Sequence, residues 1–261
     1  CREKWHDLAS GEVPIEHIFG IGADEYEMYL DLAPRANGSL SSYRNWENFA
    51  FIGLPTTSVG GWNRAYEHSR GKIVIQLSDD MEPSASDWDL AVINGFGGID
   101  NLDKPLVLGV GVPNFGGPYQ GDGLLTLAIC TRAYTAQRGY FIYPEYFGLW
   151  EDNDMTQTAT INDCLIDAYD LIFYHQWHGG DRDSQRDVTY IRQNGRASNQ
   201  IGSALITLRK WAGYPDITIS PRRWPPAWNA RSERLGPPCF PVEGYAWLRE
   251  RIIREMDEIY H

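Results

Sequence analysis

The sequence predicts an α/β protein with a mostly parallel central sheet flanked by helices. Three observations predict it. The runs at 72–77 (KIVIQL) and 105–110 (PLVLGV) are short, apolar and β-branched, as buried strands are. Helical patterns alternate with such strands through the first half of the chain, which favours parallel pairing. Acidic residues follow the strands at 14–22 and 72–77, and such sheets bind ligands beyond the carboxyl ends of their strands. At 261 residues the chain suits one large α/β domain.

The elements follow in order. Residues 2–9 read as the end of an amphipathic helix, with Trp5 and Leu8 on one side. Residues 14–22 (PIEHIFGIG) read as a strand that delivers Asp24 and Glu25. The polar stretch 37–42 is a loop and 46–53 a short strand. A turn-rich loop at 56–61 (TTSVGG) precedes a helix over 62–70, closed by Gly71. Strand 72–77 runs into Ser78-Asp79-Asp80, and Ser86 or Asp87 caps a helix holding Trp88 and Leu90. Strands at 105–110 and 124–131 flank the Gly/Pro-rich loop 111–123. A helix is expected over 153–169 and a strand over 171–174. Residues 179–199 have the composition of a surface loop. A short helix is expected at 205–212, then an irregular Pro/Arg/Trp-rich stretch, 215–241. The last helix runs from about 244 to 260, with Leu248, Ile252, Met256 and Ile259 at helical spacing.

Composition narrows the function. The net charge of −12, from 23 basic and 35 acidic residues, argues against a general nucleic-acid binder. It leaves room for a nucleoside diphosphate, because carboxylates can hold a divalent cation that supplies the positive charge. Ten Trp and fifteen Tyr suit carbohydrate or nucleoside contacts, and equally a core and its rim. The four cysteines show no C-x-x-C spacing, so no zinc or redox motif is indicated. No apolar run is long enough for a membrane span and no signal peptide is visible, so a cytoplasmic location is expected.

Asp79-Asp80 is the first chemical feature. Two adjacent carboxylates after a buried strand repel one another and cost desolvation. A divalent ion relieves both, and Mg²⁺ takes one or two carboxylates plus substrate phosphates. On the dipeptide alone, an exposed acidic turn is the simpler reading.

The stretch 60–89 (GGWNRAYEHSRGKIVIQLSDDMEPSASDWD) resembles the core of the family 2 type inverting glycosyltransferases with the GT-A fold. Asn63, Gly71, Asp79, Asp80 and Pro83 match in order, although Ser-Asp-Asp departs from a strict Asp-x-Asp. The form is similar to phage and bacterial members. The resemblance implies a Rossmann-like sheet, a metal (Mn²⁺ or Mg²⁺) and a UDP- or GDP-sugar donor. It places Asp80 on the metal and Asp79 nearer the sugar or ribose, with the reverse division left open. Asn63 joins the donor-binding set.

A second match, 139–159 (GYFIYPEYFGLWEDNDMTQTA), resembles the family's Gly-Tyr turn followed by an acidic motif at a helix start. It implies Asp152 as general base, with Asp154 as the alternative; an acidic helix cap is the plainer reading of the residues themselves. A third match implies a histidine completing the metal or diphosphate site: His178, with His175 close behind and Asp187 beyond. A fourth implies Asp24, with Glu25 competing, at the nucleobase. Arg132, Arg138, Arg182 and Arg186 are possible diphosphate contacts, and ordinary surface arginines otherwise.

The resemblance covers roughly residues 5–187. The expected organisation is a core at 1–187, whose first strand and a short upstream piece are missing, and an irregular C-terminal extension at 188–261 packed on the same domain. The expected activity is metal-dependent transfer of a hexose, with inversion, from a nucleotide sugar to a carbohydrate or other hydroxyl acceptor. The competing expectations are a sugar-phosphate nucleotidyltransferase and an inactive carbohydrate-binding protein.

Overall fold

The computed structural model describes residues 2–22, 46–53, 57–78, 80–113, 123–175 and 195–214. The chain order is α1 (Arg2–Asp7), β1 (Ile15–Gly22), β2 (Trp46–Gly53), α2 (Ser58–His68), β3 (Ile73–Ile75), β4 (Met81–Pro83) and α3 (Trp88–Gly95). There follow β5 (Val107–Gly111), β6 (Ile129–Thr131), α4 (Arg132–Arg138), α5 (Glu151–Ile161), β7 (Leu165–His175) and α6 (Arg196–Trp211).

The strands form two sheets. β1 and β2 pair in parallel, from Ile15↔Trp46 to Gly22↔Gly53. The other five strands lie in the order β3-β6-β5-β7-β4. Here the expectation of a mostly parallel sheet is corrected to a mixed one. β5 and β7 are parallel, but β6 is antiparallel to both β3 and β5, and β4 is antiparallel to β7. The direction of β6 is decided by its partners and not by its composition, since a short apolar strand fits either ladder.

Alternation along the strands divides the core between two faces. Val107 and Cys130 face a layer with Tyr134, Tyr146, Met155, Ala159 and Leu205, from α4, α5, α6 and the loop before α5. Leu108, Val110 and Ile129 face Trp5, Trp88 and Val92, from α1 and α3. Each fully buried side chain of this size contributes about 1.5–3 kcal/mol. Indole donors lock the second layer: Trp5 Nε1 donates to the Met81 carbonyl at 2.8 Å and Trp88 Nε1 to that of Trp5 at 2.9 Å. Asp89 accepts from both the backbone N–H and the hydroxyl of Ser10. It therefore fastens the turn before β1.

Several boundaries differ from expectation for local reasons. α2 begins at Ser58, within the predicted loop, because Thr57 caps it: Thr57 Oγ1 accepts from Gly60 N at 3.0 Å. The predicted helix over 153–169 ends at Ile161, where Asn162 caps it and Asp163 takes a positive φ of 55°. β7 then starts at Leu165, in register with Val107. The predicted strand 124–131 is regular only at Ile129–Thr131. α4 follows at once, capped by Thr131 and closed by Gly139 at φ 79°. α6 is twice the predicted length and starts within the stretch read as a surface loop. The predicted terminal helix lies outside the described residues.

Candidate functional site

The site is built where β4 meets the end of β7. β4 pairs with the last three residues of β7, with Met81 opposite His175. That pairing carries Asp80, the residue before Met81, to His175. Asp80 Oδ2 and His175 Nε2 lie 3.1 Å apart, both partly buried. The pair lies at the carboxyl end of β7.

The donor set can be tested for a cation. Two ligands at right angles, each about 2.1 Å from one octahedral ion, stand about 3 Å apart, close to the observed separation. A carboxylate and an imidazole are suitable donors for Mn²⁺, Mg²⁺ being more dependent on oxygen. Among the described residues no group of three or more His, Cys, Asp or Glu is poised to hold a metal. The other expected members, Asp79 and His178, lie outside the described residues, as do Asp24, Glu25, Asp187, Arg182 and Arg186.

The second acidic motif opens α5. That helix leads through a short turn into β7. Trp150 caps it with φ 76° and ψ −5°, a left-handed conformation unusual for a bulky residue. α6 holds it there. Trp150 Nε1 donates to Asn199 Oδ1 at 2.7 Å. A Cβ at Gly202 would stand 2.6 Å from the Leu149 carbonyl and 2.8 Å from Trp150 Cδ1, so only glycine permits this approach.

Three carboxyls follow Trp150, and their surroundings differ. Glu151 is only 7% exposed, and its Oε2 has no hydrogen-bond partner among the described residues. Burial, and then the charge of Asp152, push its carboxyl well above the usual range. Asp152 is half-buried, and its Oδ1 accepts from Asn153 N at 2.7 Å and Asn153 Nδ2 at 2.9 Å. Asp154 is 1% exposed and bound to Arg209 Nε, Tyr146 Oη (3.1 Å) and, at 3.7 Å, Arg138. Asp154, the expected alternative base, is thus occupied by an ion-pair network.

The same network accounts for Arg138, which also donates to Tyr134 and Tyr140. Arg132 donates to the Gly71 carbonyl and Ser69 Oγ. Both arginines, expected as possible diphosphate contacts, are committed within the fold. Asn63 is likewise engaged. Its Oδ1 accepts from Phe141 N and Ile142 N, and its Nδ2 donates to Ile142 O at 2.7 Å. In the structure it clamps the turn after α4 to α2. A separate, mainly apolar cleft of about 220 Å³ lies between β1 and β3, lined by Ile15, Ile18, Trp62, Ile75 and Leu77 among others.

Sequence reasoning did not single out Glu151, Asn199, Gly202 or Arg209. An Asn and a Gly inside a helix hint at a close approach, but nothing local names the partner. His175 was the second choice to His178, and its position as the last residue of a strand was the available signal.

These elements define an α/β protein with a mixed sheet and helices on both faces. No protein-family model matches the chain. No curated protein matches it in sequence. Among solved structures, the crystal structure of S. aureus TarS, a glycosyltransferase, is similar at 14% identity and a TM-score of 0.44. The likeness covers 67% of this chain and 33% of that one. This chain therefore spans about a third of the length of the protein it matches. Among the described residues, no helix is long and apolar enough to cross a membrane.

Proposed function

We propose that this chain is a metal-dependent inverting glycosyltransferase, moving a sugar from a nucleoside-diphosphate donor to a hydroxyl acceptor. The observation that carries the reading is the approach of Asp80 to His175 at the carboxyl end of β7. A carboxylate and an imidazole from distant parts of the chain suit one divalent ion. Asp79 and His178, adjacent in sequence, are proposed as further members, and Asp24 as a nucleobase contact. Asn63 holds the turn at Phe141–Ile142 from α2.

When bound, the ion supplies positive charge to the leaving diphosphate. The protein's own part is proton transfer and orientation. Asp152 accepts the proton of the acceptor hydroxyl. The freed oxygen attacks the anomeric carbon as its bond to the diphosphate oxygen breaks, with inversion at that carbon. Trp150, held by Asn199 and Gly202, aims the start of α5. Such fixed placement accounts for much of a bimolecular enzyme's advantage.

The direct test is a panel of UDP- and GDP-sugars with Mn²⁺ or Mg²⁺, read by release of UDP or GDP. Release from one or more donors, abolished by EDTA and restored by the ion, is expected. Turnover unaffected by EDTA removes the metal role. No turnover and no nucleotide binding across the panel removes the reading.

A further inference from the structure

We propose that a further β-strand, carried by the polypeptide that leads into α1, inserts between β1 and β3 and joins the two sheets into one. The strand is inferred from the sheets alone and does not depend on the transferase reading. The apolar cleft of about 220 Å³ lies between those two strands. Among the described residues β1 has one strand neighbour, β2, and β3 has one, β6. No described strand joins β1 to β3. What spans the cleft is a side chain: the Glu16 carboxylate accepts from Gly71 N at 2.6 Å and from Arg70 N. Glu16 is near the start of β1 and Gly71 lies just ahead of β3, so both strands begin at the same end of the cleft.

The backbone of β3 is phased for a partner on that side. Gln76 N donates to Ala128 O at 2.9 Å and Arg132 N to Lys72 O at 2.7 Å, so Lys72, Val74 and Gln76 turn their polar groups to β6. Antiparallel ladders alternate, and the N–H and C=O of Ile73 and Ile75 therefore turn the other way, to the cleft. Backbone groups shielded from water are nearly always paired, and an open strand edge is a template for another strand.

The walls of the cleft set the chemistry of the occupant. Trp62 and Tyr66 of α2 line it together with Phe141, which belongs to the first core layer. Trp5 of α1 and Trp88 and Val92 of α3, from the second layer, line it as well. Both helical layers therefore reach the cleft, as they cover a strand in the middle of an α/β sheet, and such strands are apolar on both faces. Ile15, Ile18, Ile73 and Ile75 flank the cleft and are only partly buried. An apolar strand between them would complete their burial.

Connection selects the source of that strand. Trp5 lies within one turn of the start of α1 and lines the cleft, so chain entering α1 arrives beside it. Residues 2–14, α1 and the turn after it, have the length of a crossover between parallel strands, about a dozen residues. A strand ahead of α1 makes a strand-helix-strand unit with β1 and runs parallel to it. Tethered in this way, it pairs at an effective concentration that a separate partner lacks.

The reading frame supplies the first test. The residues encoded within about 15 positions ahead of Cys1 should contain a run of about five apolar residues, rich in Val and Ile, the length of an ordinary strand and a short connection. A frame without such a run overturns the proposal.

The second test compares the 261-residue chain with the chain extended by those residues, by amide hydrogen exchange and thermal unfolding. In the 261-residue chain the amides of Ile73 and Ile75 are expected to exchange faster than those of Val74 and Gln76, which face β6. In the extended chain they should slow by about 10²-fold or more, and Tm should rise by about 5 °C or more. A Pro in the middle of the added run removes a ladder donor and should cancel both effects. Equal exchange at Ile73 and Ile75 in the two forms overturns the proposal. So does slow exchange already present in the 261-residue chain, which means that the chain fills its own cleft. Slowing that depends on protein concentration assigns the cleft to a second copy and overturns it as well. If the extended chain does not fold, a synthetic peptide of the added residues is titrated into the 261-residue chain. Failure of that peptide to slow Ile73 and Ile75 at any soluble concentration overturns the proposal.

Discussion

Asp80 and His175 stand 3.1 Å apart although 95 residues separate them. The relationship is made by one short ladder, Met81↔His175 to Pro83↔Phe173. Trp5 on α1 braces that ladder by donating to the Met81 carbonyl. If the pair holds a cation, each side chain must matter alone. Asp80→Asn and His175→Ala are each expected to weaken Mn²⁺ binding by tenfold or more, of the order seen when metal-site partners are removed. Titration calorimetry with Mn²⁺ alone measures this, and unchanged affinity in both variants rejects the assignment.

Asp152→Asn retains the shape of the helix start and removes the base. A positioned base contributes about 10²–10⁴-fold, so kcat for nucleotide-sugar turnover is expected to fall by that factor. The melting temperature is expected to stay within about 3 °C, the shift that 1 kcal/mol produces in a domain of this size. Retained activity would move the base to another residue.

The buried network around Asp154 ranks its own variants. Arg209 is 0% exposed, with its guanidinium carbon 3.4 Å from the centre of the Tyr143 ring. Arg209→Met leaves Asp154 with Arg138 as its cation, at 3.7 Å. Asp154→Asn removes the carboxylate that two buried guanidinium groups share. Breaking a buried pair costs about 3–5 kcal/mol, and Asp154→Asn is expected to be the worse of the two. Urea unfolding gives both values.

Asn63 makes three hydrogen bonds to the backbone of Phe141 and Ile142. Asn63→Ala leaves two N–H groups and a carbonyl without it, at a cost of about 1–3 kcal/mol. Asn63→Asp keeps the acceptor for the two N–H groups and loses only the donor, so it should be the milder change at neutral pH. Equal loss in the two variants would mean that the Oδ1 bonds contribute nothing.

Cys130 is fully buried between β3 and β5, and burial pushes its thiol up to about 12. Unfolded, the thiol ionises near 9.0, so the folded form holds a proton that the unfolded chain releases above that pH. This contribution is full below pH 9 and is lost as pH rises towards the folded value. Cys130→Ala should therefore flatten the decline in stability between pH 9 and 11, measured as the difference from wild type. Native Cys130 should also resist thiol reagents until the chain unfolds.

The sequence by itself determined the parts that depend on near neighbours. Apolar runs located β1, β2, β3 and β5. Alternation and composition foresaw an α/β protein, and the acidic cluster after Trp150 marked a helix start. The proposed base and the first proposed metal ligand were named from motifs. Tertiary structure decided the rest. Whether the sheet was parallel or mixed depended on the partners of β6, and a three-residue strand carries no sign of its direction. β4 was invisible because Met81-Glu82-Pro83 has little strand character alone and forms one only against β7. Which carboxylate the fold commits to an ion pair was equally non-local. Glu151, Asp152 and Asp154 differ little as residues, but Arg209, 55 positions away, commits Asp154, while burial pushes the Glu151 carboxyl above its usual range. Electrostatic and hydrogen-bond partners are set by distance in space, and that distance is created only when the helices and strands pack.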